Sequence, residues 1–336
     1  MTDGNELRNL GEFGLIDRIA QRLPAGAGVA LGIGDDAAAF APAPGQLNLI
    51  TTDMLVEGIH FDLSYSDPLS LGKKALSVNL SDIAAMGGKP RHYLLSLAIP
   101  PAITLDFLDN LISGMLSRAE QFGVHLIGGD TCSSSGPLVL NLTVLGEQSP
   151  DMLVRRSGAR PGDQICVTGT VGDSALGLRL LRQGGRKGDA IARHLDPLPR
   201  VREGLALAEA AIPSSMIDLS DGLLADLGHI LDLSAVGARI YSEELPLSDT
   251  FRKHFPLVTE EALSLALAGG EDYELLFTAP PEKIPQIFPL LEKMGTPVSV
   301  IGTITEENTR AVIGSDGKEI SLDRKGYDHF SGRDKS

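Results

Sequence analysis

Gly32-Ile33-Gly34-Asp35-Asp36-Ala37-Ala38 is the stretch from which the fold can be read. Two glycines let the backbone come close to a partner, and two carboxylates follow at once. An apolar run over 29–33 leads in and small residues lead out, so the sequence makes a tight acidic elbow with little side-chain cover. The same recipe, an Asp beside Gly, Ser or Thr after an apolar run, recurs at Thr51-Thr52-Asp53, Asn79-Leu80-Ser81-Asp82, Gly128-Gly129-Asp130-Thr131 and Asp218-Leu219-Ser220-Asp221-Gly222. Taken singly, each is more often a turn or a helix cap. Together, Asp36, Asp53, Asp82, Asp130 and Asp218 are hard oxygen ligands of the kind Mg²⁺ takes. Each is expected where a strand or helix meets a small-residue loop. Packed side by side without a cation, such carboxylates would raise one another's pKa and destabilise the fold.

The bulk numbers agree with a metal-assisted soluble protein. The chain has 336 residues, enough for two domains, and 43% of them are hydrophobic. Its net charge of −15, with no Lys/Arg cluster, argues against nucleic-acid binding. Any phosphate handled here must therefore take much of its neutralisation from divalent metal. The segment MTDGNELRNL has neither a basic nor an apolar signal region, and no apolar run approaches the ~18 residues of a membrane span. Cys132 and Cys166 form no CxxC pair, so a reducing cytoplasm with both thiols free is the expected setting. Seven His residues show no zinc spacing.

Periodicity places the motifs on elements. Helices are expected over 11–23, ended by Pro24, over 69–87 and over 105–122, and strands over 47–52, 91–99, 124–127 and 138–146. Asn79 and Asp82, three apart, share a helix face. Loop chemistry at 148–162 marks a boundary, dividing the chain into 1–150 and 151–336. Beyond it, strands are expected at 164–168, 215–217, 238–241, 273–278, 298–303 and 310–313. Helices fit 175–183, 189–195, 201–211, 223–233 and 282–294, the fourth capped by Ser220. Gly128-Gly129 is the best candidate for backbone N–H contact with phosphate, equally readable as a tight turn. A GxxxxGK[ST] loop, HRD and DFG are all absent, and no GxGxxG stands in a strand–helix context. Arg156, His60 and Glu271-Asp272-Tyr273 have ordinary surface or turn readings beside the functional ones of phosphate clamp and cation pocket.

The ordered set GIGDDAA, TTDMLVEGIHF, ALSVNLSDIAAMGG, LIGGDT, RSGARPGD, VTGTVGDSALGL, IDLSDGLLADLGHI, LAGGEDYELLFT and KGYDHF resembles the bacterial thiamine-monophosphate kinases, from about residue 11 to 330. TTDMLVEGIHF and AGGEDYELLF are far more specific than a lone glycine motif. The resemblance implies the superfamily of aminoimidazole ribonucleotide (AIR) synthetase, selenophosphate synthetase and the hydrogenase maturation factor HypE. It implies an α+β, two-domain PurM-like fold. Residues 1–150 would be an ATP/Mg-binding and dimerisation domain that closes an intersubunit β-barrel in a homodimer, and 151–336 an α/β domain.

It further implies phosphorylation of thiamine monophosphate by ATP. Asp36, Thr51, Thr52, Asp53, Asp82, Asp130, Asp218 and Asp221 would hold several Mg²⁺ ions, with Asp53, Asp130 and Asp218 counted as catalytic. Gly129, Asp130, Arg156 and Ser220 would contact ATP, and His60, Glu271 and Tyr327 the thiamine phosphate. The acceptor phosphate is largely a dianion at neutral pH, so it needs charge cancellation and in-line positioning rather than a strong base. Glu271 can oppose the fixed positive charge of the thiazolium ring, and Tyr327 can offer it a π face. Two other functions compete with this one. An amidine- or selenophosphate-forming synthetase of the superfamily resembles a case with a reactive or tail cysteine, which GRDKS lacks. A non-catalytic nucleotide- or metal-binding relative would have lost some of the acidic positions.

Overall fold

The structure is a computed structural model that describes residues 6–23, 29–33, 37–41, 43–256, 259–321 and 326–327. Gly34, Asp35 and Asp36 of the acidic elbow, Pro24, and Asp328-His329-Phe330 of the tail lie outside the described residues. Two compact units divide the chain: Met1–Ile83 with Gly88–Asp151, and Ala84–Gly87 with Met152–Ser336.

The first unit comprises α1 (Glu6–Ala20), β1 (Val29–Leu31), β2 (Ala39–Phe40), β3 (Leu47–Val56), α2 (Pro68–Ala85), β4 (Lys89–Ile99), α3 (Leu105–Phe122), β5 (His125–Ser133) and β6 (Val139–Gln148). β1 and β2 pair with each other, and the other four strands form a sheet in the order β3-β6-β4-β5. β6 runs antiparallel to both neighbours, and β4 runs parallel to β5. Alternation sorts the side chains by face. Leu49 and Leu55 of β3, Tyr93, Leu95 and Leu97 of β4, and Leu140, Leu142 and Val144 of β6 are buried. So are Leu71, Ala75 and Ile83 of α2 and Leu108, Leu111 and Met115 of α3, which supply the helical layer. The opposite face carries Ile50 at 68% and Met54 at 56% exposure. Thr104 caps α3 by accepting the Phe107 N–H at 3.2 Å, and Gly123 ends it in the left-handed conformation.

The second unit contains β7 (Gln164–Thr168), α4 (Asp173–Arg182), α5 (Asp189–Leu195), α6 (Val201–Glu209), β8 (Ser215–Asp218), α7 (Leu223–Ser234) and β9 (Gly237–Tyr241). It continues with α8 (Asp249–His254), α9 (Glu260–Ala268), β10 (Leu275–Ala279), α10 (Ile284–Glu292), β11 (Val298–Thr305), β12 (Arg310–Ile313) and β13 (Glu319–Ile320). Its sheet has the order β13-β12-β9-β11-β7-β10-β8, antiparallel throughout except between β12 and β9. Ile165, Val167, Ile217, Leu276 and Ile301 of the strands pack with Leu227, Ile230, Leu231 and Leu267 of α7 and α9. The expected α+β class and two-domain organisation are borne out. Among the described residues, no helix is long and apolar enough to cross a membrane. Cys132 and Cys166 are free thiols.

Several local expectations need correction. β3 runs on through Asp53 to Val56, and β5 through Gly-Gly-Asp-Thr to Ser133. Asp53 and Asp130 thus lie within strands and Asp82 within α2, not at element ends. Ladder hydrogen bonds from β6 and β4 overrode the turn signals of the small residues. β10 starts at Leu275, because Tyr273 is held at φ 51°. Ser220 does not cap α7: Gly222 occupies that position and makes no side-chain cap.

Candidate active site

In the first unit, the acidic positions are sorted by the pleat. Thr51 and Asp53 point to the helix-covered face. There the Thr51 hydroxyl donates to the Asp82 carboxylate, and the Asp53 N–H donates to Asn79 Oδ1 at 3.1 Å. Asn79 and Asp82 come from one face of α2, as their spacing anticipates. Burial, and secondly the charge of Asp82, push the Asp53 carboxyl up to about 7.

Thr52 faces the other way. Its hydroxyl donates to Leu142 O at 3.0 Å and receives the Asn141 amide at 3.1 Å. Asp130 is opposite Ser96 on β4, which is in turn opposite Asn141 on β6, so its side chain shares the open face with Thr52. It is not in the Asp53–Asp82 cluster of the same chain. Gly129, one residue earlier, lies so close to β4 that a Cβ would stand 1.9 Å from Leu95 O. His60 sits in the turn after β3, where its Nδ1 accepts the Val56 N–H at 3.0 Å; the neutral ring then carries its proton on Nε2.

The second unit gathers Asp218, Ser220, Asp221, Glu271 and Tyr327 around the end of β8. The segment 269–274 zips onto 218–221: Glu271 N–H donates to Ser220 O, Tyr273 N–H to Leu219 O, and Leu219 N–H to Glu274 O, at 2.8–2.9 Å. The Tyr327 N–H donates to Asp221 O at 3.0 Å, docking the chain beyond the sheet onto the same loop. Arg156 is exposed, in the loop whose Arg155 carbonyl accepts the Met216 N–H at the start of β8.

Three supporting carboxylates surround these groups, and two of them, Asp226 and Glu274, were not singled out in the sequence. Asp226, buried in the first turn of α7, accepts the N–H groups of Ser220, Asp221 and Gly222 at 3.0–3.1 Å through one oxygen. Burial, then the charges of Asp218 and Asp221, raise it to about 8 against the pull of those hydrogen bonds. Asp272 accepts the Gly172 N–H at 2.7 Å and the Ser174 N–H at 3.1 Å at the start of α4. Its enclosure outweighs these donors and raises it, too, to about 8. Glu274 receives Arg200 bidentately, at 2.6 Å to each oxygen, and the Thr168 hydroxyl at 2.7 Å. Asp272 stands in the Glu271-Asp272-Tyr273 run already noted in the sequence, and Asp226 carried a local signal of its own, an acid in a first helical turn just after the acidic loop.

Among the described residues, no group of three or more His, Cys, Asp or Glu side chains is arranged to hold a metal ion. The Asp53–Asp82 pair with the Thr51 hydroxyl nonetheless offers only hard oxygen donors, and its mutual repulsion is of the kind a divalent cation relieves.

Residues 34–148 match the N-terminal domain of the AIR synthase related proteins, and 160–314 match their C-terminal domain. With two such units, the chain falls in the class of two-domain AIR synthase related proteins. Thiamine-monophosphate kinase of Escherichia coli strain K12 is 43% identical, over 96% of this chain and 98% of its own length. That of Bacillus subtilis strain 168 is 37% identical, over 95% and 99%. The solved thiamine-monophosphate kinase of Stenotrophomonas maltophilia K279a superposes with a TM-score of 0.82 at 38% identity, over 91% of this chain and 96% of that one. AaThiL in complex with AMPPCP and TMP gives 0.74 at 33%, over 97% and 99%. E. coli HypE, at 19% identity and a TM-score of 0.74, shares the fold. The chain belongs to the thiamine-monophosphate kinase family.

Proposed function

We propose that this chain transfers the γ-phosphoryl group of ATP directly to the phosphate of thiamine monophosphate, giving thiamine diphosphate and ADP. The near-full-length match to thiamine-monophosphate kinases carries this reading. A phosphate oxygen of the acceptor attacks the γ-phosphorus in line as the bond to the ADP oxygen breaks. No strong general base is needed, because that acceptor is already largely ionised at pH 7, its second pKa being about 6. The main obstacle is repulsion between two polyanions in a chain that is itself strongly acidic.

The residues present fit Mg²⁺. Thr51, Asp53 and Asp82 on the helix-covered face form one ligand group, and Thr52 and Asp130 on the open face another. Asp36 of the elbow and Asp218 and Asp221 of the second unit complete the assignment. Bound there, Mg²⁺ would cancel and orient phosphate charge. Asp53, Asp130 and Asp218 are catalytic in that sense. Gly129, Asp130, Arg156 and Ser220 are assigned to ATP: Gly129 through close backbone approach, Arg156 as an exposed cation. His60, Glu271 and Tyr327 are assigned to thiamine phosphate, with Glu271 set against the thiazolium charge.

We also infer a homodimer. Ile50 and Met54 are exposed on one face of a sheet whose other face is helix-covered. Apolar side chains on an open face, with unpaired edges at β3 and β5, favour closure by a second copy into a barrel.

The test is a product assay. Purified protein with ATP and Mg²⁺ is expected to convert thiamine phosphate to thiamine diphosphate, to leave free thiamine unphosphorylated, and to stop when EDTA is added. No thiamine diphosphate from thiamine phosphate would overturn the assignment.

A further inference from the structure

The site assigned to the acceptor contains one residue in an unfavourable backbone conformation. Glu271 has φ 67°, in the left-handed region that non-glycine residues seldom occupy, and Tyr273 two residues later has φ 51°. Such a conformation persists only where its surroundings over-determine it. Main-chain bonds to Ser220 and Leu219 hold the backbone. The Glu271 side chain has an anchor of its own, drawn from a distant part of the sequence.

His194 lies near the end of α5 and is 3% exposed. Its Nδ1 stands 3.2 Å from Glu271 Oε2 and 3.0 Å from Ser174 Oγ. A carboxylate can only accept, so a proton on Nδ1 is the arrangement that turns this contact with Glu271 into a hydrogen bond. Ser174 is held in turn, because its backbone N–H donates to Asp272 Oδ1 at 3.1 Å. Asp272 is the residue after Glu271. Glu271, His194, Ser174 and Asp272 therefore form a closed circuit of contacts, joined at one end by a peptide bond. The circuit fixes the direction of the Glu271 carboxylate and, with the proton on Nδ1, supplies a donor to one of its oxygens. Donation to a carboxylate favours the ionised form.

The neighbouring residue divides the work. Arg193 reaches Glu274 Oε1 at 3.2 Å, alongside the bidentate Arg200 pair. Two consecutive side chains of α5 thus hold two different acids of the Glu271–Glu274 segment. The one on Glu274 belongs to a buried ion-pair network with a clear structural purpose. The one on Glu271 holds a carboxylate that is 26% exposed, has a strained backbone and is aimed by an uncharged or singly charged ring.

We propose that His194 is a positioning residue for the acceptor. It holds the Glu271 carboxylate in one orientation, and so sets the affinity for a small phosphorylated substrate that carries a fixed positive charge. This rests on the assignment of Glu271 to thiamine phosphate. His194 touches neither substrate and takes no part in the transfer of the phosphoryl group. Its effect falls on KM for the cationic acceptor, and not on KM for ATP.

The test uses His194→Leu, which removes the donor, and His194→Asn, whose side-chain amide nitrogen can take the place of Nδ1. Steady-state kinetics are run against each substrate in turn. The leucine variant is expected to raise KM for thiamine phosphate on the order of tenfold, as loss of a hydrogen bond to a charged group does, with KM for ATP unchanged. The asparagine variant is expected to recover most of that loss. In a double-mutant cycle with Glu271→Gln, the two changes should be non-additive. An unchanged acceptor KM, an equal rise in both KM values, or an asparagine variant no better than leucine each overturns the proposal. A second measurement does not depend on the leucine variant folding. With ¹⁵N-labelled histidine in the wild-type protein, the His194 Nδ1 signal should be that of a protonated nitrogen and should shift on adding thiamine phosphate; no shift overturns the proposal. Failure of the underlying assignment looks different, since the wild-type protein would then form no thiamine diphosphate at all.

Discussion

The backbone N–H of Asp53 donates to the side-chain carbonyl of Asn79 at 3.1 Å, tying the edge strand β3 to helix α2 at the residue whose carboxyl feels the charge of Asp82. This tie fixes Asp53 beside the helix that carries Asp82. The folded chain thus carries an electrostatic penalty at the place where a cation is proposed to bind.

The penalty has a definite sign with pH. Asp53 rises from 3.8 to about 7 on folding without metal. Between those values the folded chain keeps a proton that the unfolded chain has lost, so stability falls as pH climbs through that window. Asp53→Asn removes the effect. In EDTA, the variant should gain on wild type by on the order of 1–3 kcal/mol between about pH 5 and pH 8, read by urea unfolding. Mg²⁺ should shrink the difference, and turnover should fall by about 10²-fold or more, since a metal ligand is lost. Parallel stability–pH curves for the two proteins in EDTA would rule this out.

Gly270 is required by close approach. A Cβ there would stand 2.3 Å from Ser220 O, within the zipper that joins 269–274 to 218–221. Gly270→Ala should cost roughly 1–3 kcal/mol, as overpacking does, and should weaken both substrates by displacing Ser220 and Glu271 together. Gly136→Ala is the control, because nothing lies within 4 Å of its would-be Cβ. Thermal melts and KM values that do not distinguish the two variants would contradict the packing argument.

Arg200 and Glu274 form a buried bidentate pair, with Glu274 only 1% exposed. Arg200→Met leaves that carboxylate with the Thr168 hydroxyl at 2.7 Å and the partial charge compensation of Arg193 at 3.2 Å. The expected loss is about 3–5 kcal/mol in chemical denaturation, and Arg200→Lys should recover little of it, lacking the fork. A methionine variant as stable as wild type would show that the pair is dispensable.

The open face of the first unit is testable by mass. Ile50→Glu combined with Met54→Glu places two charges on the surface proposed to face a second copy. Sedimentation should show the dimer converted to monomer, with the circular dichroism of the fold retained. A wild-type protein that already sediments as a monomer, or a double variant that stays dimeric, would remove this face from the interface.

Much of the architecture was legible in the residues. The span of α3 follows from its amphipathic spacing, ended by Gly123, and the pairing of Asn79 with Asp82 follows from their separation on a helix. The strand ends were less legible. Gly128-Gly129-Asp130 and Thr52-Asp53 look like turns, yet partner strands carry both through as ladder. The Ser220 cap failed for a related reason: Asp226, four residues beyond Gly222, reaches back and accepts the N–H groups of Ser220, Asp221 and Gly222 through one oxygen.

The inventory of acids, the spacing of the motifs and the family they belong to are properties of the chain read end to end, because they depend on residue type and local order. Which of those acids share a face is not. A strand turns its side chains over at every residue, and its register belongs to its partners, so only the folded sheet separates Thr51 and Asp53 from Thr52 and Asp130. The meeting of His194 with Glu271 is likewise a product of packing α5 against a segment far along the sequence, which no periodicity within either element encodes.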